Sequence, residues 1–375
     1  MTTNAAVPSI HISIGIMAYN EERSILTTLE SLFRQSLFER LRASNRRCEI
    51  ICLANGCTDR TVEVAGEYFH RMEREHPHAA GFAARVVDIR EPGRNNAWNR
   101  FVHEYSAPSA AFLCLMDADI IFLNPDTLHR LASALERDTY ARVASGRARK
   151  DLEFKERRSL LERLSLATSA MTGTIEGGFT GQLHCLRSEV VRNLRLPRDL
   201  GATEDGFLKA AVCTDCFTAT SDPRRVAAVP GAEHLYEAYV LPSEILNNQK
   251  RQMIGQAIVY VLEQYIRGLP VGDRRALGET IRRLELRDPE WLQRLVERRL
   301  RRVRVFWRLF PGLLGFRFQR LAKLRGTARL THLPAACLGF GVTLVASWRA
   351  FRHLRRGSTQ FWPKATRGAL LSAGR

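Results

Sequence analysis

Four short apolar runs recur between residue 10 and about residue 150, each followed by a polar loop and then by a stretch of helical spacing. This recurrence restricts the fold more than any other feature. The runs cover residues 12–17, 49–54, 84–89 and 111–116. Short, apolar and closed by polar residues, each reads as a buried strand of a parallel sheet. Between them apolar side chains recur three and four residues apart, as at Ile25, Leu29, Leu32 and Phe33, the period of a helix that packs by one face. A second helix is expected from about Asp59, capped by Thr58 or Asp59, and a third over 95–105. Strands alternating with crossover helices imply an α/β fold, a doubly wound sheet flanked by helices. Open sheets of this kind bind ligands at the carboxyl ends of their strands. The polar loops there are therefore where chemistry is expected.

The fourth run leads directly into Asp117, Ala118 and Asp119. If the strand continues through them, residues i and i+2 share a face, and both carboxylates point the same way at the sheet edge. Two carboxylates so close repel unless a cation lies between them. A divalent metal carrying a diphosphate would relieve that repulsion. The alternative without a ligand is a pair of loop or helix-cap aspartates.

The 375 residues suffice for one large domain and a smaller one, and 45% hydrophobic content marks a globular chain. The net charge of +18 calls for an anionic partner: nucleic acid, an acidic membrane surface or a phosphorylated substrate. Residues 1–6 lack the basic and apolar regions of a secretory signal. The eight cysteines are scattered and fit free thiols in a reducing cytosol. Cys213 and Cys216 form one Cys-x-x-Cys pair with neither a second pair nor nearby histidines, and read as ordinary cysteines near a helix end.

Residues 155–240 are mixed. A helix carrying Leu160, Leu161, Leu164 and Leu166 precedes the loop 173–181, and the overlapping segment 177–182 is either a simple turn or a place where a ligand approaches the backbone. A short strand is expected at 183–186, where His184 reads as a packed strand residue. Thr203, Glu204 and Asp205 open another helix. From about 243 the chain is helical, with an Arg- and Glu-rich solvated face over 272–302. Residues 303–356 interleave aromatics with arginine, at Phe306, Trp307, Arg308, Phe310, Phe316, Arg317 and Phe318. The apolar stretch 333–348 is interrupted by Pro334 and two glycines and falls short of the ~20 residues of a spanning helix. The expected placement is on a bilayer surface, arginines at lipid phosphates and aromatics in the interface. The rival is a helical hairpin packed on the catalytic domain.

Taken in order, the loops resemble family 2 glycosyltransferases of the GT-A fold. Ala18, Tyr19, Asn20, Glu21 and Glu22 are similar to the family's "Y-N-E-E". Residues 55–61, Asn-Gly-Cys-Thr-Asp-Arg-Thr, are similar to "D-G-S-x-D-x-T", and residues 93–99, Gly-Arg-Asn-Asn-Ala-Trp-Asn, to "G-K-x-x-A-x-N". Asp117-Ala118-Asp119 and the later Glu204-Asp205 complete the set, which covers roughly residues 10–255. The resemblance implies donor binding by Ala18, Tyr19, Asn20, Glu21, Asn55, Asp59, Arg94, Asn95 and Asp117. It implies Mg2+ or Mn2+ on Asp119 and Asp117, and Asp205 as the base that activates an acceptor hydroxyl, with inversion at the anomeric carbon. Asn55 stands where the family has a carboxylate, yet an amide oxygen still accepts one hydrogen bond. Arg94 replaces the usual Lys and adds a fork suited to phosphate. Asn248, Gln249, Lys250, Arg251 and Gln252 fall where membrane-associated members carry Gln- or Arg-x-x-Arg-Trp. Only Arg251 matches. Glu204, Gln249 and Arg251 are expected on the acceptor and diphosphate side, and the departure speaks against processive polymer synthesis.

These readings divide the chain into a GT-A catalytic domain (8–242), a helical extension completing the acceptor side (243–302) and a basic, aromatic, membrane-associating tail (303–375). The expected activity is transfer of one sugar from a nucleotide-diphosphate sugar, a UDP-sugar favoured, to a lipid or lipid-linked glycan. The expected place is an anionic membrane surface, the cytoplasmic face of a bacterial inner membrane, or the cytosol, in envelope or exopolysaccharide synthesis. No nucleic-acid module is recognisable. A nucleotidyltransferase-like enzyme would show a Gly-rich basic loop near its N-terminus, which Tyr19-Asn20-Glu21 is not. A non-catalytic membrane or nucleic-acid binding protein would explain the charge without chemistry, but the charge concentrates where the aromatics lie.

Overall fold

The computed structural model describes residues 9–159, 162, 163, 166, 178–201, 203–310, 318, 321, 322 and 327–357. Leu160, Leu161, Leu164, Gly177, Ala202, Phe316 and Arg317 lie outside them.

The four expected strands form the parallel half of one sheet: β1 (Ile10–Ala18), β2 (Arg47–Asn55), β3 (Phe82–Ile89) and β4 (Phe112–Asp117). Their order is β3-β2-β1-β4, with every neighbouring pair parallel. The first three strands are two or three residues longer than their apolar runs, because backbone pairing extends past the apolar side chains, and β4 begins and ends one residue later than expected. The sheet continues in the order β4-β7-β6-β8-β5, where β7 (Leu183–Arg187) is the short strand expected at 183–186, and β5 (Ile121–Phe122), β6 (Val143–Lys150) and β8 (Val226–Tyr236) carry no comparable apolar signal. β7 runs antiparallel to both β4 and β6, which makes the sheet mixed.

Helices cover both faces. Against one lie α1 (Ile25–Phe33), α2 (Thr61–Glu75) and α4 (Thr127–Arg137), whose Leu29, Leu32, Phe69, Leu131 and Leu135 share a buried cluster with Ile12, Ile14 and Ile16 of β1. Against the other lie α3 (Arg94–Arg100), extended by one wide π turn through Tyr105, and α5 (Glu204–Cys213). That second core is continuous with α6 (Pro242–Arg267), α7 (Leu277–Arg287), α8 (Trp291–Arg302) and α9 (Thr327–Leu354). In α7 and α8 the buried residues Leu277, Ile281, Trp291, Leu292, Val296 and Leu300 form one stripe, and the many Arg and Glu take the solvent side.

The tail helix α9 packs on α6 through Ala346, Ala350, Phe351 and Leu354, which are buried in the same core. Its other side exposes Leu333, Leu338, Val345 and Trp348. Burying Phe351 and Leu354 contributes about 1.5–3 kcal/mol each. Helical packing, the rival expectation, is therefore what the described part of the tail does with one face. Among the described residues no helix is long and apolar enough to cross a membrane.

Candidate active site

Register places the motif loops side by side. Ala18 pairs with Ala54, Asn55 with Ile89, and Met17 with Asp117, so the loops after β1, β2, β3 and β4 leave the sheet at one edge. Because β7 is antiparallel, its beginning meets the same edge: Leu183 pairs with Met116, and Asp117 N–H donates to Gln182 O at 2.9 Å.

The first two loops are laced together. Asn20, in the left-handed region at φ 55°, accepts from Thr58 N–H at 2.7 Å through its side-chain oxygen, and Glu21 N–H donates to Thr61 Oγ1 at 2.8 Å. Asp59 accepts from Thr61 N–H, Thr61 Oγ1 and Glu22 N–H. These bonds outweigh the burial that opposes them and hold its carboxyl below its ordinary value. Asp59 is thereby committed to positioning the loops. Gly56, at φ 68°, has no room for a side chain: a Cβ would lie 2.7 Å from Pro92 Cβ. Beside it Asn55 is buried at the end of β2, and its side-chain oxygen has no hydrogen-bond partner among the described residues. Tyr19 leaves its ring exposed at the mouth.

Arg94 opens α3 and reaches across the site. Its guanidinium donates to Asp117 Oδ1 at 2.6 Å and to Glu204 Oε1, and its Nη2 lies 3.5 Å from Gly181 O. Burial works against its charge, but Asp117 and Glu204 together hold its pKa above the ordinary value. Asn95 is buried behind it and donates to the carbonyls of Arg198 and Gly201 at 3.3 Å each. The amide nitrogen of Asn95 thus braces the turn before Glu204, while its buried side-chain oxygen has no hydrogen-bond partner among the described residues.

The aspartate pair is arranged differently from the expectation. β4 ends at Asp117, and Ala118 and Asp119 form the turn that follows, so the two carboxylates do not share a strand face. Ala118 carries the turn into the core, its N–H donating to Met17 O and its carbonyl accepting from Thr28 Oγ1 at 2.8 Å. Asp117 is bound by Arg94, while Asp119 is left at the open side of the cleft, within electrostatic reach of Glu21 and Arg251. Burial, with repulsion from Asp119, pushes the Asp117 carboxyl up to about 7 despite Arg94. The walls of the cleft around it raise Asp119 as well, against the pull of Arg94 and Arg251. Glu21 is pushed up to about 7 by burial and then by Asp119 and Asp117. Among the described residues no three His, Cys, Asp or Glu side chains are grouped to hold a metal unaided.

Asp205 opens α5 beside this group. Its carboxyl is pushed up to about 6 by burial and by Glu204, against the pull of Arg94 and Arg251. The glycine loop reaches it: a Cβ at Gly181 would lie 3.1 Å from Asp205 Cβ. Thr180 pins that loop to β6, its N–H donating to Ser145 Oγ at 2.8 Å. His184 is a packed strand residue, tilted on the Phe179 ring with centroids 4.7 Å apart, and burial pushes it down to about 4. α6 stands beside this group, and from it Arg251 acts on both Asp119 and Asp205. Gln249 is half-buried two residues earlier on the same helix.

Two contributors had no motif to announce them. One is the bridge Arg94 makes between Asp117 and Glu204. The other is Gly255, one turn beyond Arg251, where α6 crosses so close to Thr203 that an added Cβ would overlap Thr203 Oγ1. Thr203 directly precedes the acidic pair, so this contact sets the distance between α6 and Asp205. Gly255→Ala is expected to lower stability by about 1–3 kcal/mol, the range for overpacking. It should lower kcat by about 10- to 100-fold with little change in donor KM, since small misplacements are amplified in rate. Urea unfolding and steady-state kinetics measure both, and a wild-type kcat would show that α6 does not hold Asp205.

The Cys-x-x-Cys pair is remote from this chemistry. All eight cysteines are free, and burial pushes Cys216 up to about 11 and raises Cys213. Neither thiol is a nucleophile near neutral pH.

Residues 13–195 match the family described as Glycosyl transferase family 2. No curated protein matches the chain. Among solved structures, the mannosyltransferase PcManGT from Pyrobaculum calidifontis, in complex with GDP-Man and Mn2+, aligns over 91% of this chain and 86% of its own with 18% identity and a TM-score of 0.50. S. aureus TarS 1-349 aligns over 92% of each chain with 14% identity and a TM-score of 0.46. Glucosyl-3-phosphoglycerate synthase from Mycobacterium tuberculosis, in complex with Mn2+, UDP-Glc and phosphoglyceric acid, aligns over 70% of this chain and 81% of its own with 18% identity and a TM-score of 0.43. The mannosyltransferase has the same mixed sheet flanked by helices, the GT-A fold.

Proposed function

Since residues 13–195 form a family 2 glycosyltransferase domain and the chain is an enzyme of that kind, we propose that it transfers a single sugar from a nucleotide-diphosphate sugar, with inversion, to an acceptor hydroxyl borne by a lipid or lipid-linked glycan. The observation that carries this reading is the grouping of Arg94, Asp117, Asp119, Glu204 and Asp205 at one sheet edge, drawn from the start of α3, the end of β4 with its turn, and the start of α5.

Each residue has a task. The unpartnered oxygen of Asn55 accepts an N–H of the base, as a UDP-sugar would offer. Asn20 and Glu21, held by the second loop, shape the ribose side, with Ala18 and Tyr19 at its mouth. Arg94 and Arg251 offset the charge that develops on the diphosphate. Asp205, poised at about 6, takes the proton of the acceptor hydroxyl as its oxygen bonds to the anomeric carbon. The bond from that carbon to the diphosphate breaks in the same step, its electron pair leaving with the nucleotide. One displacement inverts the centre.

The donor set fits a hard divalent cation. Asp119 and Asp117 offer oxygens, both carboxyls are raised by burial against the pull of Arg94, and such cations take one or two carboxylates and complete their shell with substrate phosphates and water. Asp119 and Asp117 would hold Mg2+ or Mn2+, which when bound supplies Lewis-acid neutralisation of the departing diphosphate.

The basic, aromatic tail supports an anionic membrane surface as the place of work, and with it a lipid-borne acceptor on the cytoplasmic face of a bacterial inner membrane, in envelope or exopolysaccharide synthesis. Screening UDP- and GDP-sugars for release of the nucleoside diphosphate, with and without Mn2+, tests the reading. Metal-dependent release from at least one donor is expected. No release and no calorimetric binding with any of them would overturn it.

A further inference from the structure

Residues 298–375 hold 18 of the 57 Lys and Arg and none of the 39 Asp and Glu, so the whole net charge of +18 lies there and the first 297 residues are balanced. Part of this excess is gathered into a site. A cavity of about 550 Å³ opens between Arg304, Phe306 and the end of α9, where Trp348, Phe351, Arg352 and Arg355 line it. Trp348, Arg352 and Arg355 recur at i, i+4 and i+7 and therefore share one face of the helix. Arg352 lies over the Trp348 ring at 4.8 Å and Arg355 over the Phe351 ring at 5.3 Å. The Phe306 and Phe351 centroids are 6.4 Å apart. The three arginines are exposed and have no carboxylate partner among the described residues. Aromatic planes hold like charges together where nothing neutralises them.

The same face continues toward the start of α9 as an apolar track. Leu338, Val345 and Trp348 are exposed along it, while Thr343, Ala346, Ser347, Ala350 and Leu354 are buried on the side turned to α6. From Leu338 to Trp348 the track runs about 15 Å, at 1.5 Å per helical residue. An apolar strip of that length ending in three cationic forks matches an anionic amphiphile: guanidinium groups fit phosphate oxygens, and the strip takes the chain beyond them. Lys250 Nζ, on α6, lies 3.4 Å from His353 Nδ1 between two of these arginines, and Arg251 beside it acts on Asp119 and Asp205. The cavity and the cleft thus stand on two sides of one helix.

We propose that Arg304, Arg352 and Arg355, with Trp348 and Phe351, form a binding site for the phosphate headgroup of a membrane lipid, whose chain lies along the exposed face of α9. This inference rests on the membrane-facing reading of the tail and sets the cleft beside the surface from which a lipid-borne acceptor would come.

Calorimetric titration of the full chain with dihexanoyl phosphatidic acid below its micellar concentration tests the site. Saturable binding is expected, weakened at least ~10-fold by Arg352→Gln with Arg355→Gln, both at exposed positions, with donor-sugar binding retained as the check on folding. Trp348→Ala should lower affinity for the lipid while leaving any weak affinity for inorganic phosphate unchanged. Equal binding of dihexanoyl phosphatidylcholine, unweakened binding by the double variant, or displacement by inorganic phosphate or a single-stranded oligonucleotide at equal phosphate concentration would overturn the proposal. Failure of the short-chain lipid to bind while anionic vesicles still pellet the protein would remove the site and leave the membrane reading standing.

Discussion

Asp205→Asn is expected to lower turnover at least ~100-fold, the scale on which a positioned general base acts, with donor binding little changed. The amide keeps the shape and the backbone contacts at the start of α5 but takes no proton. The pH profile should identify the group. Asp205 is raised to about 6 by burial and Glu204 against Arg94 and Arg251, so it becomes a competent base only as pH rises through that value. The wild-type rate should climb about tenfold per unit below pH 6 and level above it, and the limb should vanish from the residual activity of the variant. Turnover by Asp205→Asn within a few-fold of wild type would move the role to another residue, with Glu204 next in line although Arg94 already occupies its carboxylate.

Asp119→Ala should remove metal-dependent turnover, by about a thousandfold or more, since charge neutralisation at a leaving group is worth several kcal/mol and each 1.36 kcal/mol is tenfold in rate. Asp119 is singled out over Asp117 because Arg94 already compensates Asp117, while Asp119 faces the open cleft. A readout independent of activity accompanies this. Mn2+ at saturating concentration should raise the thermal midpoint of the wild type by a few degrees, as mass action on the folded state requires, and leave Asp119→Ala unshifted. A chelator should abolish wild-type turnover reversibly. Full activity in excess chelator would sink the metal assignment.

The aspartate pair also shows where local pattern stops. The apolar run at 111–116 correctly marked a strand, and the polar residues after it a loop at the carboxyl edge of the sheet. Whether both carboxylates shared a face depended on where pairing ended, and pairing ended at Asp117 because β7 begins its antiparallel run against Met116. β6 and β8 escaped notice for a related reason. β6 carries Arg147, Arg149 and Lys150 along its second half, and β8 is broken by Pro230 and Gly231. Neither shows the buried apolar run that reveals a central parallel strand. Asn95 and Asp59 matched motif positions, and the fold adds that both brace loops, a task the motif does not record.

Local pattern was enough to reveal four strand-and-helix units, the polar loops at their ends, the acidic pairs and the basic aromatic tail. These rest on periodicity and composition within a few residues, and physical chemistry reads them without knowledge of the fold. Every relation between distant segments came from the folded chain alone. Arg94 bridges Asp117 and Glu204, 110 residues away from itself. Gly255 lets α6 rest on Thr203. One face of α9 is buried on α6 and the other left to its surroundings. Such contacts depend on sheet order, helix crossing and the side chains that happen to meet there. Since the energy of each belongs to a pair of segments and not to either one, no single stretch of chain records it.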